Sequence, residues 1–480
     1  MNKTDELQVI LDIGIALSAE RDRNKLFNMI ITKSMDITNC DAGTLYLLED
    51  GALHFKIMKT LSMGVDKGSG GEAIDLPPVA AVSEANICSY AAIHRETLNI
   101  VDVRKDETFD FSGPKKYDAM TGYHTQSMRV VPLIDDDDEV AGVLQLISAQ
   151  DSEGNVIGFE SHFEKIIYAL GSLTAIAISN MRYQQELKDQ MWSFTEAMAA
   201  AIDERTPYNA SHTRKVAKYS GMIADHINEL HDKGLEEEYF DTNRKEQLVM
   251  GAFLHDIGKM AVPLEVMNKA TRLNGRESEI GKRLEIFRLK AKVMMLEGKM
   301  SEEWYEDITS HIDEIISMME KVNSAGFLDD DTYESLQKIL EYDFCGEPFF
   351  TDKEKECLSI RKGTLTQEER KVMESHVAIT KRILDKVHFI KYFENAPIWA
   401  AQHHECLNGK GYPLGLTAEQ LGVEARIMAV ADICDALLAT DRPYKKPIPK
   451  EKAFAIMRDM AASGNIDGKY VEYLYDCIDV

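Results

Sequence analysis

Polar side chains recur on helical stripes that should otherwise be buried in the C-terminal half of this chain. His212 shares a face with Val216, Tyr219 and Ile223, and His376 sits between Val372 and Ile379 with Ile383 beyond. Leu248 and Gly251 lead to His255, which Asp256 follows at once, and His403 and His404 end a predicted helix containing Ile398, Trp399 and Ala400. Asp432 lies among Met428, Ala429, Ile433 and Ala436. One such histidine is ordinarily a core residue with its hydrogen bonds satisfied. Seven imidazole and carboxylate groups turned inward in one helical region are different, because burying each unpaired costs several kcal/mol unless they share a cation. Five neutral imidazoles with two carboxylates suit first-row divalent ions such as iron, manganese or zinc better than calcium, which takes an all-oxygen cage. The donors outnumber what a single ion with open positions would use, so two ions bridged by a carboxylate fit the count. Water or hydroxide between two such cations has a lowered pKa and is a ready nucleophile toward phosphorus. The chemistry this predicts is phosphodiester hydrolysis.

Composition sets limits around that site. The 480 residues suffice for at least two cores, and 44% hydrophobic with 28% charged residues, 12 Pro and 29 Gly is ordinary folded-protein chemistry. With 55 Lys and Arg against 81 Asp and Glu the net charge is −26, a field that repels nucleic-acid backbones and anionic membranes. No nucleic acid polymer and no membrane partner are expected, and a phosphate ligand must be captured by a local cationic or metal-lined pocket. No apolar run approaches the roughly 20 residues of a membrane span. Met1 leads into the charged run Lys3–Glu6 rather than a signal-peptide core, so a cytoplasmic location is expected. The cysteines Cys40, Cys88, Cys345, Cys357, Cys406, Cys434 and Cys477 are scattered and form no C-x-x-C pair, as expected of reduced thiols.

The elements that must position the site read in three parts. From Leu7 to about Tyr183, Leu7, Ile10, Ile13 and Leu17 predict one helix and Leu26, Ile30 and Ile37 a second. Strands are predicted at Thr44–Leu48, Leu53–Met58, Leu98–Val101, Met128–Leu133 and Val140–Ile147, the last two forming a hairpin around Asp135–Asp138. A helix at Glu160–Asn180 closes an α+β sandwich. The runs AGTLYLLEDGALHFKIM and MRVVPLIDDDDEVAGVLQLISAQ within it resemble a GAF domain, assigned to residues 1–172. The resemblance implies a small-ligand sensor or a dimerisation module. The stretch Asn155–Glu164 departs from the signature of cyclic-nucleotide-binding members, and Phe159, Phe163 and Glu164 read as core and surface, so no ligand residue is nominated there.

A connecting helix is assigned to 173–197, where Leu173, Ile176, Asn180, Tyr183, Leu187, Gln190 and Phe194 recur at steps of three and four. That is the stripe of a parallel two-stranded coiled coil, with Asn180 and Gln190 as register-setting polar positions. It predicts a homodimer through this helix and the GAF domain, the alternative being a single helix packed on its own domains. Residues 198–480 read as an all-α bundle, completing a multidomain chain.

Within that bundle HDIGK (His255–Lys259) and HHECLNGKGYP (His403–Pro413) together resemble the HD-GYP family of HD-domain phosphohydrolases. RTPYNASHTRKVA, LTQEERKVMESHVAITKRIL and ARIMAVADICDALLATDRPY support the match, which covers about Met198–Ala270 and Gly363–Asp459. The resemblance implies hydrolysis of cyclic di-GMP to pGpG and onward to GMP, or of cyclic GMP–AMP, with two divalent ions, iron or manganese, as cofactors. Carried over by position, His212, His255, Asp256 and Asp432 look like ligands of one ion, and Asp256 would bridge to a second held by His376, His403 and His404. Asp256 and Lys259 are the catalytic candidates, Lys259 holding the scissile phosphate or protonating the leaving oxygen. Arg442 and Lys446 are candidates for the second phosphate of the substrate. Gly411, Tyr412 and Pro413 form a tight loop that in the family borders the site and is linked to partner recognition. Glu405 is either a carboxylate orienting a ligand histidine or a surface residue. Members with a third metal carry Glu four residues before the first ligand histidine; here that place is Tyr208, Glu204 lies two turns before His212, and Thr206 stands where many members have Asp. A binuclear centre is therefore expected.

Residues 271–362 are an insertion relative to the family. Ile280, Leu284, Phe287, Ala291 and Met294 form one stripe, and Trp304, Ile308, His311, Ile315, Met318 and Val322 another, which predicts an antiparallel helical hairpin with His311 in its seam. SAGFLDDDTYESLQKIL adds a helix and CGEPFFTDKEKECL a connection; the insertion could cover the cleft, extend a dimer interface or bind a partner. The leading reading is a cyclic dinucleotide phosphodiesterase tuned by its N-terminal domain. A cyclic dinucleotide receptor or adaptor with little turnover is the alternative, and a phosphohydrolase of the broader HD superfamily would not need the second motif.

Overall fold

In the computed structural model the alternation read over residues 40–150 becomes one antiparallel sheet. The structure describes the chain except residues 1–10, 12–13, 17–19, 21, 77–78, 81–83, 136, 161–162, 206–210, 440–447 and 479–480. Leu7, Ile10, Ile13 and Leu17, on which a first helix is expected, lie outside the described residues. Contacts divide the chain into two units, Met1–Asp189 and Gln190–Val480.

The first unit opens on α1 (Arg23–Thr38), whose N-terminus is capped by the Asp22 carboxylate accepting from the amides of Asn24 and Lys25. Strands follow as β1 (Cys40–Glu49), β2 (Ala52–Thr60), β3 (Val65–Lys67), β4 (Val79–Ala80), β5 (Leu98–Ile100), β6 (Met128–Ile134), β7 (Val140–Gln150) and β8 (Val156–Ile157). They pair in the order β3-β2-β1-β7-β6-β5, with β4 on β2 and β8 on β7. Because side chains alternate along a strand, Leu45 and Leu47 of β1 pack with Leu26, Ile30, Leu144, Ile166 and Leu170 on one face. Tyr46 turns to the other face with Leu53, Met128 and Val143, beneath α2 (Ile87–His94) and Phe111. A further helix, α3 (Ser112–Thr121), precedes β6. The five expected strands are present, and the short β3, β4 and β8 are additional to them.

The expected closing and connecting helices are one element, α4 (Glu164–Arg205), 42 residues long. Ile166, Leu170, Ala175 and Ile178 belong to the sheet's core, whereas Trp192, Met198 and Ile202 pack with residues of the second unit. Along the stripe between, Ile176, Tyr183, Leu187 and Phe194 are exposed in the single chain.

The second unit is helical: α5 (His212–Asp232), α6 (Thr242–Leu254), α7 (Glu277–Leu296), α8 (Glu302–Asn323), α9 (Asp330–Leu340), α10 (Asp352–Leu358), α11 (Gln367–Leu384), α12 (Ala396–Ala400), α13 (Val423–Leu438), α14 (Lys450–Ala462) and α15 (Gly468–Cys477). α5, α6, α13, α14 and α15 bury Val216, Ile223, Leu248, Met428, Phe454 and Leu474 in one core. None of the described helices is long and apolar enough to cross a membrane. All seven cysteines are free.

The inserted residues form their own core from α7, α8 and α9. The α8 seam is Ile308, Ile312, Ile315, Met319 and Val322, which corrects the expected stripe. Trp304 is exposed, and His311 sits half-buried at the edge, its ring 4.4 Å from that of Tyr342. The expected connection is a two-residue hairpin, β9 (Asp343–Phe344) with β10 (Glu347–Pro348), followed by α10. Arg272, fully buried, closes the insertion: its guanidinium donates to the carbonyls of Ile360, at 2.8 Å, Val322 and Ala325. Each hydrogen bond from a charged group contributes about 1.5–3 kcal/mol. Arg272→Met is expected to destabilise the second unit by about 3 kcal/mol or more, read from denaturant unfolding; a change under about 0.5 kcal/mol, the range of neutral surface substitutions, would contradict this account.

Candidate metal centre

α6 stops at Leu254, so His255 is its C-cap residue and Asp256 starts a 3-10 turn, Ile257–Ala261. That turn lies against α11 because Gly258 has no side chain: a Cβ there would fall 1.9 Å from the His376 carbonyl oxygen. The Gly258 amide donates to the Thr380 hydroxyl at 2.9 Å, which donates to the His255 carbonyl at 3.0 Å. These bonds hold His255 and Asp256 beside His376, more than a hundred residues later in the chain. The start of α11 is fixed by a capping box between Thr366 and Glu369, and Glu369 also accepts from Lys269 at 2.7 Å. The helix expected to end on His403 and His404 stops at Ala400, and the pair occupies the turns that follow.

Three rings share one orientation. Nδ1 of His255, His376 and His403 lies 2.6, 2.6 and 2.7 Å from the carbonyl three residues earlier, of Ala252, Met373 and Ala400. A carbonyl only accepts, so Nδ1 carries the hydrogen and Nε2 of the neutral ring presents its lone pair. All three Nε2 atoms are buried without a hydrogen-bond partner, as is Oδ1 of Asp256. Unpartnered buried acceptors are rare and costly. Four of them facing one another are what a cation site requires.

Asp256 stands between two groups. Its Oδ2 is 3.2 Å from His255 Nε2 and 3.5 Å from His212 Nε2; its Oδ1 is 3.3 Å from His376 Nε2 and 3.9 Å from His403 Nε2. Ligand atoms within 4.8 Å of one another define the sets His212, His255, Asp256 and His376, His403, His404. Asp432 Oδ1 lies 3.2 Å from His212 Nε2 and 3.9 Å from His255 Nε2. Lys259 pairs with Asp256 Oδ2. The expected ligand residues are thus brought together, and they fit divalent ions.

The electrostatics of the two sets differ. Burial would lower the pKa of His212, but the carboxylates of Asp256, Asp432 and Asp435 around it carry it up to about 11. Burial opposes ionisation of Asp256 and Asp432, yet surrounding imidazoles, with Lys259 beside Asp256, hold both below the usual carboxylate range. His403 and His404 are lowered, mainly by burial, His404 to about 4, which leaves them in the neutral form that ligates.

Some functional residues were not foreseen. Asp435 is buried with a carboxylate oxygen 2.7 Å from His212 Nδ1, so it fixes that ring's tautomer. Its signal was its place three residues after Asp432, on the same helix face. The inward acid near the end of α4 is Asp203, whose carboxylate accepts from Thr213 at 3.0 Å, while Glu204 is exposed. Glu405 takes neither expected role: it is buried and accepts from the amides of Leu414, at 2.7 Å, and Leu416, at 2.9 Å. It therefore ties the Gly411–Pro413 loop to the histidine pair. In that loop a Cβ on Gly411 would meet the Cys406 nitrogen at 2.3 Å, and the Tyr412 ring lies 4.9 Å from that of His404. Pro413 is exposed at the rim. Arg442, Lys446, Tyr208 and Thr206 lie outside the described residues.

A GAF domain family model matches residues 22–178, and two HD domain family models match residues 209–329 and 355–470. The GAF match falls in the first unit and both HD matches in the second. It is 39% identical over 97 residues to the 3'3'-cGAMP-specific phosphodiesterase 3 of Vibrio cholerae, covering 20% of each chain. It is 31% identical over 195 residues to a cyclic di-GMP phosphodiesterase of Thermotoga maritima, covering 35% of this chain and 49% of that one. It is 39% identical over 98 residues to the cyclic di-GMP phosphodiesterase response regulator RpfG of Xanthomonas campestris, covering 20% and 25%. The aligned residues span half or less of each of these relatives.

Removing the group that orients a ligand histidine costs about 10–100-fold in metal affinity. Asp435→Ala should show that loss in chelator competition while keeping the wild-type circular dichroism spectrum; undiminished affinity would exclude a positioning role.

Proposed function

We propose that this chain is a metal-dependent phosphodiesterase of cyclic dinucleotides, converting cyclic di-GMP to pGpG and onward to GMP, in the cytoplasm. The single observation that carries the reading is the meeting of buried, unpartnered acceptors on His255, His376, His403 and Asp256. The names of the relatives supply the substrate class. His212, His255, Asp256 and Asp432 would hold one divalent ion, and Asp256, His376, His403 and His404 a second, iron or manganese by the nitrogen-rich donor set. When bound, the ions supply Lewis acidity toward the phosphate and a lowered pKa for the attacking water.

The protein's own groups then orient, neutralise and close. Lys259, held at Asp256 by their ion pair, is placed to neutralise the scissile phosphate or to give a proton to the leaving 3′ oxygen. The Gly411–Pro413 loop sets Tyr412 against His404 at the rim, offering a face to substrate or to a protein partner. Arg442 and Lys446 are assigned to the second phosphate. The similarity to a cGAMP-specific enzyme favours 3′3′-cyclic GMP–AMP as the second substrate to test.

Protein loaded with manganese or iron should cleave cyclic di-GMP. Asp256→Ala should lose bound metal and turnover together, whereas Lys259→Met should keep its metal and lose about 10²–10⁴-fold in kcat. Wild type that binds two ions and cyclic di-GMP yet leaves it uncut would make the chain a receptor.

Association and control belong to α4. The exposed Ile176, Tyr183, Leu187 and Phe194, with Asn180 and Gln190 between them, form the seam of a parallel homodimer through which the GAF domain tunes the HD domain. Leu187→Asp should convert a dimer into a monomer by light scattering; a monomeric wild type, or a variant of unchanged mass, would refute this arrangement.

A further inference from the structure

The insertion leaves one helix face uncovered. α7 turns Ile280, Leu284, Phe287 and Ala291 into the insertion's own core, yet on its outer side Ile286, Leu289, Val293 and Leu296 stand 54, 54, 53 and 73% exposed. Single apolar residues on a surface need no account, but four in line along one helix form a contiguous patch of the kind that marks an interaction site. Their spacing is the alternating three and four of a coiled-coil seam, with Ile286 and Val293 at a and Leu289 and Leu296 at d. β-Branched residues at a with leucine at d is the combination that favours two parallel strands. The helix is already held by its own core, so pairing carries no cost of folding it.

The flanking charges select the partner. At the g and e positions beside the seam stand Glu285 and Lys290, then Lys292 and Glu297, all exposed. In a parallel pair each g residue meets the next e residue of the other helix, which joins Glu285 to Lys290 and Lys292 to Glu297 of a second copy, opposite charges at both crossings. With the helices antiparallel and Ile286 facing Leu296, the same seam sets Lys290 near Lys290 and Lys292 near Lys292, which repel. A lipid surface asks for basic residues along both flanks of such a stripe, and two glutamates stand there instead. Within one chain these groups make only exposed pairs, Glu285 with Arg288 at 3.6 Å, Lys290 with Glu347 at 2.8 Å and Glu297 with Lys299 at 2.6 Å, which contribute little and are readily exchanged. We infer that α7 pairs in parallel with α7 of a second copy of this chain, a self-association seam built by the insertion and separate from the one on α4.

The seam is shorter than the about three or four heptads that sustain a coiled coil alone, so its pairing is weak by itself and is read by disulfide trapping of the full chain at high protein concentration. Cys345→Ser removes the exposed native thiol, and a new cysteine is then placed at one end of the seam or the other. Parallel helices set each seam residue beside its own copy, within reach of an S–S bond, and antiparallel ones separate it. Under mild oxidation Ile286→Cys alone and Leu296→Cys alone should each give a linked pair of chains, whereas Glu334→Cys, exposed on α9, should not. Leu289→Asp, which puts a charge into the seam, should cut the Leu296→Cys product about tenfold or more with an unchanged circular dichroism spectrum. Glu285→Lys sets like charges across the seam and should cut it about threefold or more; adding Lys290→Glu should restore it by exchanging the two signs. No linked chains, linkage only when the Ile286→Cys and Leu296→Cys proteins are mixed, linkage indifferent to Leu289→Asp, or no rescue by the exchanged pair would each overturn the inference.

Discussion

One buried carboxylate, that of Asp256, organises the second unit. It presents one oxygen to His212 and His255 and the other to His376 and His403, so four parts of the fold must meet at the same point. With Asp432 and Asp435 it makes three acidic groups around one imidazole. Those carboxylates raise the pKa of the His212 imidazole, and the Lys259 ammonium pairs with Asp256. His403 and His404, crowded among other imidazoles in a buried space, stay neutral. The centre therefore demands cations on its acidic side and offers lone pairs on the other. Packing these groups without ions would leave a cost that hydrophobic residues of the same volume would not incur.

What secures this convergence is close backbone approach more than side-chain bulk. The 3-10 turn reaches α11 only because position 258 is glycine, and Thr380 serves both sides of that junction. The insertion enters the chain between these two segments without separating them. Its ends are tied to each other, with the Thr364 hydroxyl donating to the Lys269 carbonyl at 2.9 Å and the Arg272 guanidinium to the Ile360 carbonyl at 2.8 Å. An excursion that closes on itself and has its own core adds little to the entropy of bringing α11 back to Asp256.

The sequence made the donors legible because each violates an apolar stripe: His212 with Val216, His376 with Ile379, Asp432 with Met428. Long strands were legible for the same reason, through alternation. Residues that act through neighbours were not. Asp435 looks like any acid on a helix until His212 is seen 2.7 Å away, and Glu405 gives no hint that its partners are the amides of Leu414 and Leu416. Backbone partners leave no trace in residue type. The shift of the α8 seam from His311 to Ile312 has a similar origin: both positions fit a three-four repeat, and only the direction from which α7 and α9 approach decides which is buried.

The same distinction bears on how a signal could reach the site. α4 runs unbroken from residues that pack in the sheet's core, Ile166 and Leu170, to Ile202, packed beside Met250, Leu254 and Ile257. Next to Ile202, Asp203 accepts from Thr213, and Thr213 adjoins His212. Burial pushes the Asp203 carboxyl up, against the pull of that hydrogen bond, so the contact is one the fold maintains at a cost. A helix is stiff along its axis, and residues in its heptad seam keep their register only as a set. If α4 pairs as proposed, a change in its seam would reach Asp203, whose hydrogen-bond partner Thr213 is the neighbour of the candidate ligand His212, and that is a physical route for the proposed control.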